Sequence, residues 1–167
     1  LKVMPLRAVA VPMYRLGKTG VVASFERLEF DGSLPVDQPT SQTVLIGNTG
    51  TRPVVVQMVS KLNETSPFTI EMQPALVPVR GKKAVEVEIV VTPICCCSVE
   101  EDVAFMWKNL LTSKEGSAKV PVVFQTATGI RLNVEEIEVS KKIGEGSFGI
   151  VYKGTYQGND VAVKYLK

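Results

Sequence analysis

Between Ala84 and Thr92, Val85, Val87, Ile89 and Val91 fall on one face of an extended backbone, with Glu86 and Glu88 on the other. Period two belongs to a strand with one buried face, since a helix would scatter the same residues around its axis. The rest of the chain supports that reading. Its 27 Val, 8 Ile and 12 Thr are stiff at χ1 and pack well on a pleated surface, and no helical period competes. Further extended runs, separated by turn residues, span Phe25–Phe30, Gln42–Gly47, Pro53–Val59, Pro67–Met72, Val103–Trp107 and Lys119–Gln125. With Ala84–Thr92 they predict a mainly β fold built around a seven-stranded antiparallel sandwich.

Composition narrows the chemistry. The 167 residues contain no histidine, which excludes Ser-His-Asp triads, HExxH zinc sites and Cys2His2 fingers. A formal charge of +2, with Lys and Arg scattered along the sequence, gives no electrostatic footprint for nucleic acid. The longest apolar stretch, Ala8 to Tyr14, is far shorter than the roughly 20 residues of a membrane helix, so no membrane span is expected. Cys95, Cys96 and Cys97 are consecutive, too close to staple a loop, and fit a reducing compartment. They read as small hydrophobes in a loop after a strand, with a soft-metal, palmitoylation or redox role as the competing reading. The sequon Asn63-Glu64-Thr65 reads as a chance match, and Glu100, Glu101 and Asp102 read as a solvated loop rather than a calcium site.

The chain opens at Leu1 without an initiator Met or signal-like segment, which reads as an internal piece of a longer protein. LKVMPLRAVA at the start resembles SAKVPVVFQTA at 117–127, suggesting tandem modules. Residues 1–13 are therefore expected to end a preceding module and Tyr14–Val22, with Gly17 and Gly20, to be a linker. The sandwich is expected over 23–128, with GNTG (Gly47–Gly50) supplying the positive φ of a tight turn, Pro53 opening the next strand and Trp107 in the core. TVLIGNTGTRPVVVQ, FTIEMQP, GKKAVEVEIVVTP and AKVPVVFQ together resemble the major-sperm-protein and ASH group of Ig-like domains. The resemblance implies a cytoplasmic interaction or scaffold module without catalysis. It assigns no binding site, and Lys61, Lys82 and Lys83 read as solvated turn residues.

After Thr126 the sequence changes character. A dinucleotide fold would place a helix after the third glycine of a GxGxxG, but Ile150, Val151, Tyr152 and Tyr156 continue as strand, and no GxxxxGK[ST] is present. Gly144, Gly146 and Gly149 instead suit a strand-turn-strand loop whose backbone N–H groups can approach phosphates. Tyr156 to Asp160, containing Gly158, Asn159 and Asp160, supplies a second turn, and Ala162 and Lys164 share a face of the strand that follows. The string Gly144-x-Gly146-Ser147-Phe148-Gly149-x-Val151, with Val161-Ala162-Val163-Lys164 ending thirteen residues after Val151, resembles the start of a protein kinase domain, most closely the tyrosine-kinase-like or Raf-related group. That resemblance makes residues 135–167 a three-stranded antiparallel piece of a kinase N-lobe. It implies that Ile143, Val151 and Ala162 line an adenine pocket, that the loop Gly144 to Gly149 with Ser147 and Phe148 at its tip covers ATP phosphates, and that Lys164 pairs with the α- and β-phosphates as a catalytic residue.

The helix Glu, HRD and DFG of such a domain are not in this sequence, so these residues alone are expected to be inactive, with Mg-ATP chemistry belonging to an intact cytoplasmic parent. That parent would transfer phosphate to protein hydroxyls, Ser/Thr ahead of Tyr, while the sandwich binds an unidentified protein. The alternative is a non-catalytic scaffold of tandem Ig-like domains with a pseudokinase or truncated tail. The three cysteines receive no role.

Overall fold

The computed structural model describes residues 1–127 and 132–167. The chain divides between residues 129 and 130 into two compact units. The expected end of the sandwich at residue 128 lies outside the described residues.

Eleven strands are described in the first unit: β1 (Val3–Pro5), β2 (Tyr14–Arg15), β3 (Val21–Ala23), β4 (Leu28–Leu34), β5 (Thr40–Asn48), β6 (Val54–Val59), β7 (Phe68–Gln73), β8 (Leu76–Val79), β9 (Lys83–Pro93), β10 (Ser98–Asn109) and β11 (Glu115–Thr126). One sheet runs β1-β9-β5-β3-β2, with β7 on the same edge of β9 as β1. The other runs β4-β11-β10-β6-β8, and within it β4 lies parallel to β11.

Alternation decides which side chains face inward. On β9, Val85, Val87, Ile89 and Val91 are all buried, as their spacing requires. Val103, Phe105 and Trp107 of β10 and Val120, Val122 and Phe124 of β11 close over them from the second sheet. Phe68 of one sheet meets Phe124 of the other edge to face, with ring centroids 5.1 Å apart, and Phe25 packs on Phe105 at 5.4 Å. Burial of each such ring stabilises the fold by about 1.5–3 kcal/mol.

Six of the seven expected strands are present in position, while the first, expected at Phe25–Phe30, runs from Leu28 to Leu34 and pairs parallel to β11 rather than antiparallel, and the count is low. β8 was hidden by Pro78, which is tolerated because β8 is the sheet edge. The N-terminal expectation is corrected more deeply. Residues 1–22 are neither a preceding module nor a linker: β1 pairs with Lys83–Val85 of β9, and the β2–β3 hairpin adds to β5. Leu16, Val21, Val22 and Ala23 are buried, so this segment contributes to the core.

The GNTG turn also forms differently. Neither Gly47 nor Gly50 has a positive φ, and Gly47 is needed for packing, since a Cβ there would lie 2.7 Å from Leu6 Cδ1 and 2.9 Å from Val22 Cγ2. Asn48 shapes the turn. Its side chain is buried, donating to the Arg52 carbonyl at 2.7 Å and the Val79 carbonyl at 3.1 Å while accepting from Gly50 N–H at 2.9 Å.

The second unit is a three-stranded meander: β12 (Ile137–Gly146), β13 (Gly149–Tyr156) and β14 (Asn159–Leu166). The turn between β13 and β14 falls within the expected span, Tyr156 to Asp160. Gln157 and Gly158 carry the positive φ values, 48° and 79°, while Asn159 and Asp160 already belong to β14. Among the described residues of both units there is no α-helix, and none is long and apolar enough to cross a membrane.

Candidate functional site: the glycine hairpin and its lysine strand

The register of the meander determines what can meet a ligand. Gly144 pairs with Val151, Gly146 with Gly149, Val151 with Lys164, and Lys153 with Ala162. Directly paired residues share a face, so Gly144, Gly146, Gly149, Val151, Ala162 and Lys164 all lie on one side of the sheet. The sequence had placed only Ala162 and Lys164 together. Ile143 falls in the register shift between Lys142 and Gly144 and is 54% exposed. Ser147 and Phe148 form the hairpin tip, with the Phe148 ring 79% exposed.

The three glycines are not equivalent. At Gly149 φ is +149° and a Cβ would stand 2.2 Å from the Tyr165 carbonyl oxygen, so the fold itself demands glycine there. Gly144 and Gly146 have no such demand. Neither has a left-handed φ, and the space a Cβ would fill is open at both, with no atom within 4 Å. The sheet thus offers a side-chain-free strip of backbone next to a half-buried valine, a small alanine and an exposed lysine. A polyphosphate can approach backbone N–H groups along such a strip, and a cation one strand away can meet its charge.

Two features of this sheet were missed. Lys153 lies on the same face as the three glycines, beside Ala162, held by Asp160 at 3.1 Å; its period-two spacing from Val151 was the available signal. On the opposite face Glu145 accepts from Lys142 and from Lys167, the latter at 3.0 Å, joining the hairpin to the end of β14. The Lys142 hydrogen bond, then that of Lys167, hold the Glu145 carboxyl below its ordinary range, and Glu145 in turn raises Lys142. The opposite face also carries Tyr152 and Tyr165, packed edge to face at 5.5 Å.

The remaining sequence candidates lie in the sandwich. Cys95 is buried and Cys97 N–H donates to Thr126 Oγ1 at 2.9 Å, while burial, followed by the neighbouring Cys95 and Cys96, pushes the Cys97 thiol up to about 11. Such a thiol is a poor nucleophile at neutral pH. Asn63 Oδ1 accepts from Thr65 N–H at 2.9 Å and Thr65 Oγ1 at 2.7 Å, a self-contained turn.

No protein-family model matches the chain. It is 44% identical over 43 residues to a probable serine/threonine-protein kinase of Dictyostelium discoideum, covering 26% of this chain and 5% of that protein. It is 53% identical over 36 residues to the stress-activated protein kinase alpha of the same organism, covering 22% and 6%. The chain therefore contains a kinase-related segment, and it spans about a twentieth of the length of these curated relatives. Among solved structures it is similar to the ASH / PapD-like domain 7 of human CEP192, with a TM-score of 0.54 and 13% identity over 73% of this chain and 95% of that domain. At that identity the likeness establishes the fold, a PapD-like sandwich of the ASH type.

Proposed function

We propose that β12 to β14 form the nucleotide-covering sheet at the start of a protein kinase domain of the tyrosine-kinase-like, Raf-related group, and that the sandwich is its cytoplasmic interaction module. The observation that carries this is the open space at Gly144 and Gly146. Nothing within the sheet requires glycine at either position, so the reason lies with an external occupant that needs the backbone bare. ATP fits: its phosphates would lie along Gly144 to Gly149, its adenine against Ile143, Val151 and Ala162, and Lys164 would pair with the α- and β-phosphates. When bound, ATP with Mg²⁺ supplies the γ-phosphoryl group for transfer to a protein hydroxyl, Ser/Thr ahead of Tyr. The Mg²⁺ is assigned to no residue of this chain. The kinase-named matches, 43 and 36 residues long, are the size of the second unit and support the same reading.

The test is binding of a fluorescent ATP analogue to the parent protein, compared with Lys164→Met and Gly146→Val. The expected result is saturable binding weakened at least about tenfold in each variant, the loss of one charge-assisted contact or the blocking of one approach. Equally absent binding in all three would overturn the reading and leave a scaffold with a vestigial loop.

A further inference from the structure

The topology gathers one end of the sandwich from five separate loops. β1, β2, β5, β8 and β10 end there, while β3, β6, β9 and β11 begin there. The loops are 6–8, 16–20, 49–53, 80–82 and 110–114, and hydrogen bonds join them. Leu6 N–H donates to Lys82 O at 2.9 Å, Thr49 N–H to Gly20 O at 2.8 Å, Lys82 N–H to Gly50 O at 3.0 Å and Leu110 N–H to Pro53 O at 3.3 Å. Their charged residues are Arg7, Lys18, Arg52, Arg80, Lys82 and Lys114, all exposed, and no carboxylate occurs among them. None of the six forms an ion pair among the described residues. The nearest carboxylate by strand position, Glu115, is already 3.6 Å from Lys108. At the opposite end the loops mix signs, Asp37 and Glu64 against Lys61.

At the tip of the β10–β11 hairpin, on the same end, stand two adjacent leucines, Leu110 56% and Leu111 70% exposed. They are presented on a fixed turn: Asn109 Oδ1 accepts from Leu111 N–H at 2.9 Å and from Thr112 N–H at 3.0 Å. Six cations without a carboxylate partner, of which Lys82 Nζ donates to the Thr49 carbonyl, suit an anionic partner, but a polyanion groove has no use for two leucines. An anionic bilayer uses both, taking apolar side chains into the acyl boundary and cations at the headgroups. We propose that this end of the sandwich docks peripherally on anionic lipid surfaces, with Leu110 and Leu111 inserted and the six cations of the same end at the headgroup level. The proposal goes beyond the kinase reading and stands without it.

Flotation of the 167-residue chain with phosphatidylcholine vesicles, with and without phosphatidylserine, tests it. Binding is expected only with phosphatidylserine and should fall as salt rises. Arg52→Gln with Lys114→Gln should weaken it about 25-fold, roughly fivefold for each cation near the surface. Leu110→Ser with Leu111→Ser should weaken it at least about tenfold. Leu111→Trp keeps an apolar tip, and its added indole emission should shift to the blue on phosphatidylserine vesicles. No flotation of the native chain, equal flotation on phosphatidylcholine alone, or full binding by the leucine variant would each overturn the proposal. Heparin binding without vesicle binding, indifferent to the leucines, would also overturn it and point to a polyanion instead.

Discussion

In the sandwich Leu28, Ile46, Ile89 and Phe105 are wholly shielded from solvent, whereas in the three-stranded sheet the described residues classed as buried are Gly149 and Gly154, which have no side chains. The strands are alike in both units. What differs is how much of each residue the polypeptide itself explains: a second sheet faces the buried side chains of the sandwich, whereas no atom within 4 Å of a Cβ requires glycine at Gly144 or Gly146.

The sharpest way to break that comparison is to remove one ring from each unit. Phe105→Ala should cost about 3–5 kcal/mol, read as a lowered denaturant midpoint of the sandwich. Phe148→Ala, with its ring 79% exposed, should stay within about 0.5 kcal/mol. Comparable losses at both would mean that Phe148 packs on something and that the contrast is false.

A finer cut separates the glycines. Gly149→Ala should cost about 1–3 kcal/mol, because its Cβ meets the Tyr165 carbonyl, and amide exchange along β13 and β14 should speed up accordingly. Gly144→Ala and Gly146→Ala should leave that exchange nearly unchanged. If all three behaved alike, the fold would account for all three glycines and the open strip would lose its meaning.

The smallest effect tests how far the sandwich interior reaches. Cys97 is raised from an ordinary 9.0 to about 11, so its neutral form is the one the native state favours. Its contribution to stability should be complete below about pH 9 and disappear as pH rises through about 11. Alkylation of Cys97, followed by mass spectrometry, should accelerate over that same window. Rapid alkylation at pH 7 would mean that the thiol is not shielded.

Patterns confined to one strand or one hairpin were legible in the sequence. The alternation on β9 sufficed to orient it, and the spacing of Gly144, Gly146 and Gly149 before a second run of β-branched residues sufficed to place the hairpin. Long-range pairing was not. Val3–Pro5 is too short to carry a period, and its partner on β9 lies some eighty positions away, so nothing local distinguishes it from a linker. Gly47 was misread for a related reason, since what requires a glycine there is Leu6 and Val22, not the turn beside it. The basic end shows the same limit at larger scale. Arg7, Lys18, Arg52, Arg80, Lys82 and Lys114 look scattered along the chain, and only the strand order makes them neighbours.

The parallel pairing of β4 with β11 also imposes an order of events during synthesis. Among the described residues β4 pairs with no other strand, and Leu28 faces Val122 across that ladder. At ordinary elongation rates, Leu28, Phe30 and Leu34 emerge on the order of ten seconds before the segment that will cover them. Until then the nascent chain carries an apolar strand with both edges bare, an invitation to chaperones or to a neighbouring chain on the same messenger. The sandwich can close only once residues up to about Thr126 have left the ribosome.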